Sequence, residues 1–180
     1  MKKILLVSAL VAGLYSLNAQ ETASAERQND IMISPIELIA GPVLNVSYER
    51  LLNENSGIGI NGLFDLQNDE DYSFNQISPY YRMYFGKKYA SGFFVEGFVP
   101  ITMTNDTHYI AHYDSNNYYS TPMEEKNTTL GIGVGFGGKW VARKNIIFEA
   151  SAGIARRFGL DSHYDSAITG KGMLGIGYRF

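Results

Sequence analysis

The sequence predicts an all-β fold, an eight-stranded antiparallel up-and-down transmembrane β-barrel, and three observations carry the prediction. Apolar and polar residues alternate through eight separate segments, the connections between those segments alternate between short and long, and a secretion leader precedes them all. Successive side chains point to opposite faces of a strand, so each alternating segment has one face fit for an apolar surrounding and one that is small or charged. After the leader no apolar run approaches the length of a membrane-spanning helix, which excludes a helical membrane protein. A barrel passes the same test, because only every second residue faces lipid and mean hydropathy stays slightly negative.

The leader has a positive start at Lys2 and Lys3, an apolar run from Ile4 to Leu14, and the small-residue end Leu17-Asn18-Ala19. This is a signal peptide over residues 1–19, with cleavage expected after Ala19. Residues 20–30 are polar and read as a short periplasmic lead, and residues 31–180 as the barrel. The chain has no cysteine, so neither a disulfide nor a thiolate metal site is expected. It carries 15 basic and 18 acidic residues, and the leader removes two of the bases, which leaves a net charge of −5. That balance speaks against nucleic acid as a partner.

The strands are expected at Ile31–Ala40, Val43–Leu52, Gly57–Leu66, Tyr72–Gly86, Ser91–Thr104, Thr128–Trp140, Asn145–Phe158 and Gly170–Phe180. Asn53–Ser56, Lys87–Ala90 and Val141–Lys144 are short polar turns; Gln67–Asp71, Asn105–Asn127 and Gly159–Thr169 are longer and rich in Asp, Asn, Ser and Tyr. Short periplasmic turns and long outer loops follow if both ends of the chain lie on the periplasmic side. Gly41-Pro42 breaks the pattern as a very tight outer connection. Pro35, Pro79 and Pro100 fall inside expected strands, where each removes a ladder hydrogen bond and marks a bulge or strand end. A bulge at Pro100 would reverse the parity beyond it.

Parity divides the residues further. In the last strand Phe180, Tyr178, Ile176 and Leu174 share one face; Arg179, Gly177, Gly175, Met173 and Lys171 share the other. Read the same way, Tyr48, Phe85, Phe93, Trp140, Phe148 and Phe180 all point outward near the periplasmic ends of six strands, the place of an interfacial aromatic girdle. Inward parity holds Glu37, Glu49, Arg82, Glu96, Lys139, Glu149, Arg157, Lys171 and Arg179. An eight-stranded barrel is just wide enough for side chains to fill it, so these charges must pair. Glu49, Arg82, Glu96, Lys139, Glu149 and Arg179 are therefore expected to form a structural polar plug, with Arg82 and Arg179 bound to acids among Glu49, Glu96 and Glu149. The Gly131-Ile132-Gly133-Val134-Gly135 run alternates as a strand and makes no phosphate loop.

The segments SYERLL (47–52), SPYYRMYFGKK (78–88), GFFVEGF (92–98), GFGGKW (135–140) and GIGYRF (175–180) together resemble a family of small outer-membrane proteins of unknown function in Bacteroidota. The architecture is similar to the OmpA-like and OmpX-like barrels. The resemblance implies a fold and the cell outer membrane as location; it brings no activity and no site residues. It also implies that the terminal aromatic strand is read by the barrel-assembly machinery.

The residues point to no catalytic site, no cofactor and no metal. His108 and His112 lie in the long loop, and His163 in the last one; Ser162, His163 and Asp165 with the loop histidines are the only conceivable catalytic set, beside the plainer reading of solvated loop residues. The loop 105–127 carries Tyr109, Tyr113, Tyr118 and Tyr119 among Asn, Asp and Ser, a composition suited to a surface ligand or to lipopolysaccharide. The expected function is non-enzymatic, a structural or surface-interaction role beside outer-membrane lipid. One alternative is a soluble periplasmic calycin-like barrel with the apolar parity turned inward around a small hydrophobic ligand. Another is a barrel enzyme that modifies lipid A.

Overall fold

The computed structural model describes residues 27–67, 72–114, 117–142, 145–159 and 166–180; residues 1–19, expected to be a signal peptide, and Ser162, His163 and Asp165 lie outside them. Among the described residues nine strands and one helix follow in the order β1 (Asn29–Ile33), α1 (Pro35–Ala40), β2 (Val43–Asn53), β3 (Ser56–Asp65), β4 (Tyr72–Tyr84), β5 (Gly92–Phe98), β6 (Ile101–Asp114), β7 (Asn117–Val141), β8 (Ile146–Phe158) and β9 (Ile168–Arg179). Every pairing is antiparallel, each stave bonds to the staves before and after it in the chain, and β1 closes the ring on β9. β5 and β6 lie end to end between β4 and β7, so the wall has eight staves.

Pro100 does not bulge the fifth stave. Tyr80 pairs with Phe98 and Ile77 with Ile101, while Phe98 pairs with Gly133 and Ile101 with Leu130, so the register advances evenly on both sides. Pro79 and Pro100 each lack a donor, yet their carbonyls still accept from Val99 N–H (3.0 Å) and Gly131 N–H (2.8 Å). Parity is unbroken: Glu96, Phe98, Thr102 and Thr104 are all buried.

The first stave departs from expectation. It begins at Asn29, two residues before Ile31, and ends at Ile33. Pro35 then opens the six-residue helix α1 at a position where proline's missing N–H costs nothing. Gly41-Pro42 follows a helix and is no hairpin turn. The connection expected at 105–127 is likewise no loop. β6 and β7 stay paired from Ile101↔Leu130 to Asp114↔Asn117, beyond the last pair with β4 (Tyr72↔Asp106) and the last with β8 (Leu130↔Phe158). A two-stranded ribbon therefore stands above the ring.

The faces are inverted relative to a soluble protein. Ile132, Val134, Phe136, Ile154 and Leu174 are exposed, whereas Arg82, Lys139, Glu49 and Gln76 are fully buried. A calycin-like interior for an apolar ligand requires the opposite assignment. Two inward glycines of β7 make room for aromatic rings from the next stave. A Cβ on Gly137 would lie 2.6 Å from Phe94, and one on Gly133 2.6 Å from Phe98, each its cross-strand partner. No helix among the described residues is long and apolar enough to cross a membrane.

Candidate functional site: a buried ion network

Register puts the charges together. Arg82 stands opposite Glu96, Lys139 opposite Glu149, and Asp30 opposite both Glu49 and Arg179. Opposite residues on one face of a sheet have Cβ atoms about 5 Å apart, so these pairs are made by strand alignment before any further packing. All their side chains point into the lumen.

Arg82 is the hub. Its guanidinium meets Glu49 Oε2 at 3.1 Å, Glu96 Oε2 at 2.8 Å and Glu149 Oε2 at 2.8 Å. The Phe94 ring lies 3.8 Å from its central carbon and the Tyr80 ring 4.7 Å, so planar stacking fills the faces that hydrogen bonds leave open. Lys139 Nζ donates to Glu49 Oε2 (2.5 Å) and Asp30 Oδ2 (3.0 Å). Tyr84 donates its hydroxyl to the other oxygen of Glu49 at 2.6 Å. Lys171 reaches Glu96 Oε1 at 2.8 Å and sits 4.1 Å from the Tyr80 ring.

Arg179 is bound differently from expectation. It grips Asp30 with two parallel bonds of 2.8 and 2.9 Å, across the seam between first and last strands. Its remaining donors reach the carbonyls of Tyr89 (2.9 Å) and Ala90 (3.0 Å) in the β4–β5 turn. None of Glu49, Glu96 or Glu149 is its partner. Asp30 falls within the expected polar lead, yet it stands on β1 and pairs with Lys139 and Arg179. The signal that could have found it is parity: Asp30, Met32 and Ser34 share one face, and all three are buried.

The network thus joins four acids, Asp30, Glu49, Glu96 and Glu149, to four bases, Arg82, Lys139, Lys171 and Arg179. Equal numbers matter, because each uncompensated charge in so dry a space would carry a large desolvation penalty. Glu37 lies outside it, half-buried on α1, where it accepts from Asn45 Nδ2 at 2.5 Å. Arg157 is apart at the outer end and donates to the Ser166 carbonyl.

A second, uncharged network lies in the outer half and was missed by sequence reasoning. Where α1 replaces the continuation of β1, the edge of β9 loses its strand partner. Its carbonyls are bonded by side chains instead: Leu174 by Ser34 Oγ (3.3 Å), Gly172 by Asn45 Nδ2 (2.7 Å), Gly170 by Gln76 Nε2 (3.2 Å) and Ile168 by Ser166 Oγ (3.1 Å). Gln76 also accepts from Thr102 (3.1 Å) and Thr169 (2.9 Å), tying three staves together. Replacing Asn45 by Ala should lower stability by about 1–3 kcal/mol, because it leaves the half-buried Gly172 carbonyl without its donor. A urea midpoint equal to that of the parent chain would remove the bridging role from Asn45.

The six rim aromatics, Tyr48, Phe85, Phe93, Trp140, Phe148 and Phe180, are all exposed on the outer wall. Phe85 and Phe93 touch, with ring centres 6.1 Å apart. His108 and His112 are on β6, opposite Met123 and Tyr119. No group of three or more His, Cys, Asp or Glu among the described residues is placed to hold a metal.

No protein-family model and no curated protein matches the sequence. Solved structures with a similar chain path include three barrels. The N-terminal β-barrel domain of Pseudomonas aeruginosa OprF is 16% identical over 86% of this chain and 98% of that one, with a TM-score of 0.49. The Yersinia pestis outer membrane protein Ail is 17% identical over 86% of this chain and 100% of its own, with a TM-score of 0.47. Neisserial surface protein A is 12% identical over 85% and 95%, with a TM-score of 0.45.

Proposed function

We propose that this protein is a non-enzymatic barrel of the bacterial outer membrane, of the small Bacteroidota kind its motifs resemble. Its interior is a sealed, ion-paired plug, and the β6–β7 ribbon is its surface-interaction element. One observation carries the reading: apolar side chains cover the outside of the ring while a balanced set of four acids and four bases fills the inside. A wall of that kind is stable only where hydrocarbon surrounds it. The six outward aromatics form the girdle at the periplasmic headgroups. Outer-membrane lipid and lipopolysaccharide surround the wall, and exposed Tyr109 and Ile110 belong to the ribbon that meets a surface ligand.

Fractionation tests the location. The protein should pellet with outer membranes and show heat-modifiable mobility on a gel; recovery as a soluble periplasmic protein without detergent would sink the proposal. Planar bilayers test the plug, since steady, large single-channel conductance requires an open lumen. The seam suggests how the last strand takes part in assembly. Phe180 and Asn29 exchange both backbone hydrogen bonds, at 2.8 and 3.0 Å. Deleting Phe180 should lower the amount reaching the outer membrane and leave periplasmic aggregates or degradation products. Unchanged membrane levels with unchanged heat-modifiable mobility would count against it.

A further inference from the structure

Among the described outward-facing residues between the girdle and the outer rim, Arg156 on β8 is the only charge. It is exposed, and its flanking outward neighbours Ile154, Phe158 and the cross-strand Ile168 are exposed apolar side chains. No described residue pairs with its guanidinium. Arg156 lies eight residues beyond Phe148 on the same strand. At roughly 3.4 Å per residue and a tilt of about 40°, that is some 20 Å above the girdle, close to the outer end of an apolar band about 25 Å tall.

Below Arg156 the wall is hollowed. Ile154 pairs with Gly170, Ala152 with Gly172 and Ala150 with Leu174, so small residues run side by side down the outer face of β8 and β9. A Cβ built on Gly172 would meet nothing nearer than the Ser151 carbonyl at 3.5 Å. A groove of about 490 Å³ opens at the top of this trough, lined by Ile154, Ala155, Arg156, Ala167 and Ile168. A cation above a narrow apolar channel complements a molecule with an anionic head and a hydrocarbon tail.

We propose that Arg156 and the trough over Gly170, Gly172, Ala152 and Ala150 form a binding site for a phosphorylated lipid of the outer leaflet. The guanidinium takes the phosphate through paired N–H donors, and one acyl chain lies in the trough. The site rests on the membrane placement proposed above, and its test separates the two. The refolded protein is inserted into nanodiscs of phosphatidylcholine with a minor share of lipid A, then released and weighed by native mass spectrometry. The parent barrel should emerge as a monomer enriched in bound lipid A. Arg156→Gln should lower that enrichment roughly tenfold, the loss expected of one charge-assisted bidentate contact. Arg156→Lys should fall between. Gly172→Leu, which fills the trough and leaves the charge, should also lower it.

Inorganic phosphate at millimolar concentration should not displace the lipid; equal displacement would mean a free-anion site and overturn the proposal. Emergence as a dimer that excludes lipid would assign the trough to a second copy and overturn it as well. Unchanged enrichment in Arg156→Gln and Gly172→Leu, both inserted and heat-modifiable, defeats the lipid site alone. Failure of the parent chain to insert defeats the membrane reading and the site together.

Discussion

Arg82→Met should lower the stability of the folded barrel by about 3–5 kcal/mol, the cost of breaking a buried ion pair by removing one partner. The size follows from the number of acids that share this one cation. Glu49, Glu96 and Glu149 each lie within 3.1 Å of the guanidinium, and all are buried. Methionine fills much of the volume and keeps the apolar contacts with Phe94 and Tyr80, so the loss is electrostatic and not a cavity. Lys139 and Lys171 still hold Glu49 and Glu96, which leaves Glu149 as the carboxylate with least compensation. Adding Glu149→Gln to Arg82→Met should therefore recover part of the loss, while Glu149→Gln alone should destabilise. Urea unfolding followed by fluorescence of the single tryptophan, Trp140, measures all three. A neutral Arg82→Met would show that the network is solvated in the folded protein and that the lumen is not dry.

Much of this arrangement is legible in the sequence, for one physical reason. The period of a strand is two, so parity alone separates Arg82, Glu96, Lys139 and Glu149 from Tyr81, Val95, Trp140 and Phe148. Parity does not say which inward residues meet across the lumen. That depends on the stagger of the staves, and Arg179 found Asp30 and not a glutamate for this reason. The β9 edge shows the same limit. Gln76 bonds Gly170 from far along the sequence, and nothing local marks either residue.

Local signals misled at two places. The stretch from Ile31 to Ala40 alternates like a strand, yet Pro35 cannot donate to a ladder and is well suited to a helix start, and a single turn of helix won. In the segment 105–127 the Asn, Asp and Ser content suggested a loop. Thr107, Tyr109, Ile110, Tyr113, Tyr118, Tyr119 and Thr121 have high strand propensity, and direct pairing of β6 with β7 settled the competition. Edge protection is built into that ribbon: Pro122 and the charges of Glu124, Glu125 and Lys126 stand on β7 beyond its last described pair with β8.

Val134→Arg should cost about 2–4 kcal/mol, the expected penalty for a cation on the lipid face near the bilayer midplane. Val134 is 68% exposed, on the outer face of β7, six residues from Trp140. With roughly 3.4 Å per residue and a tilt of about 40°, it stands near 15 Å above the girdle, well inside a band about 25 Å tall. No interior contact changes, since its neighbours Gly133 and Gly135 carry the inward parity. The effect must therefore come from the surroundings of the wall. In a soluble protein the same substitution exchanges an exposed valine for an exposed arginine and is almost free. The natural Arg156 supplies the internal contrast: an arginine on the same outer face, but at interfacial height, where the penalty falls to about 0–1 kcal/mol. Moving the charge along the outer face of β7, with Ile132→Arg and Leu130→Arg beside Val134→Arg, should trace a penalty that falls toward the outer rim. Folding into lipid vesicles, measured by the urea midpoint of Trp140 fluorescence, reads that profile. A flat profile with all three variants near the parent value would mean that water and not hydrocarbon surrounds the barrel.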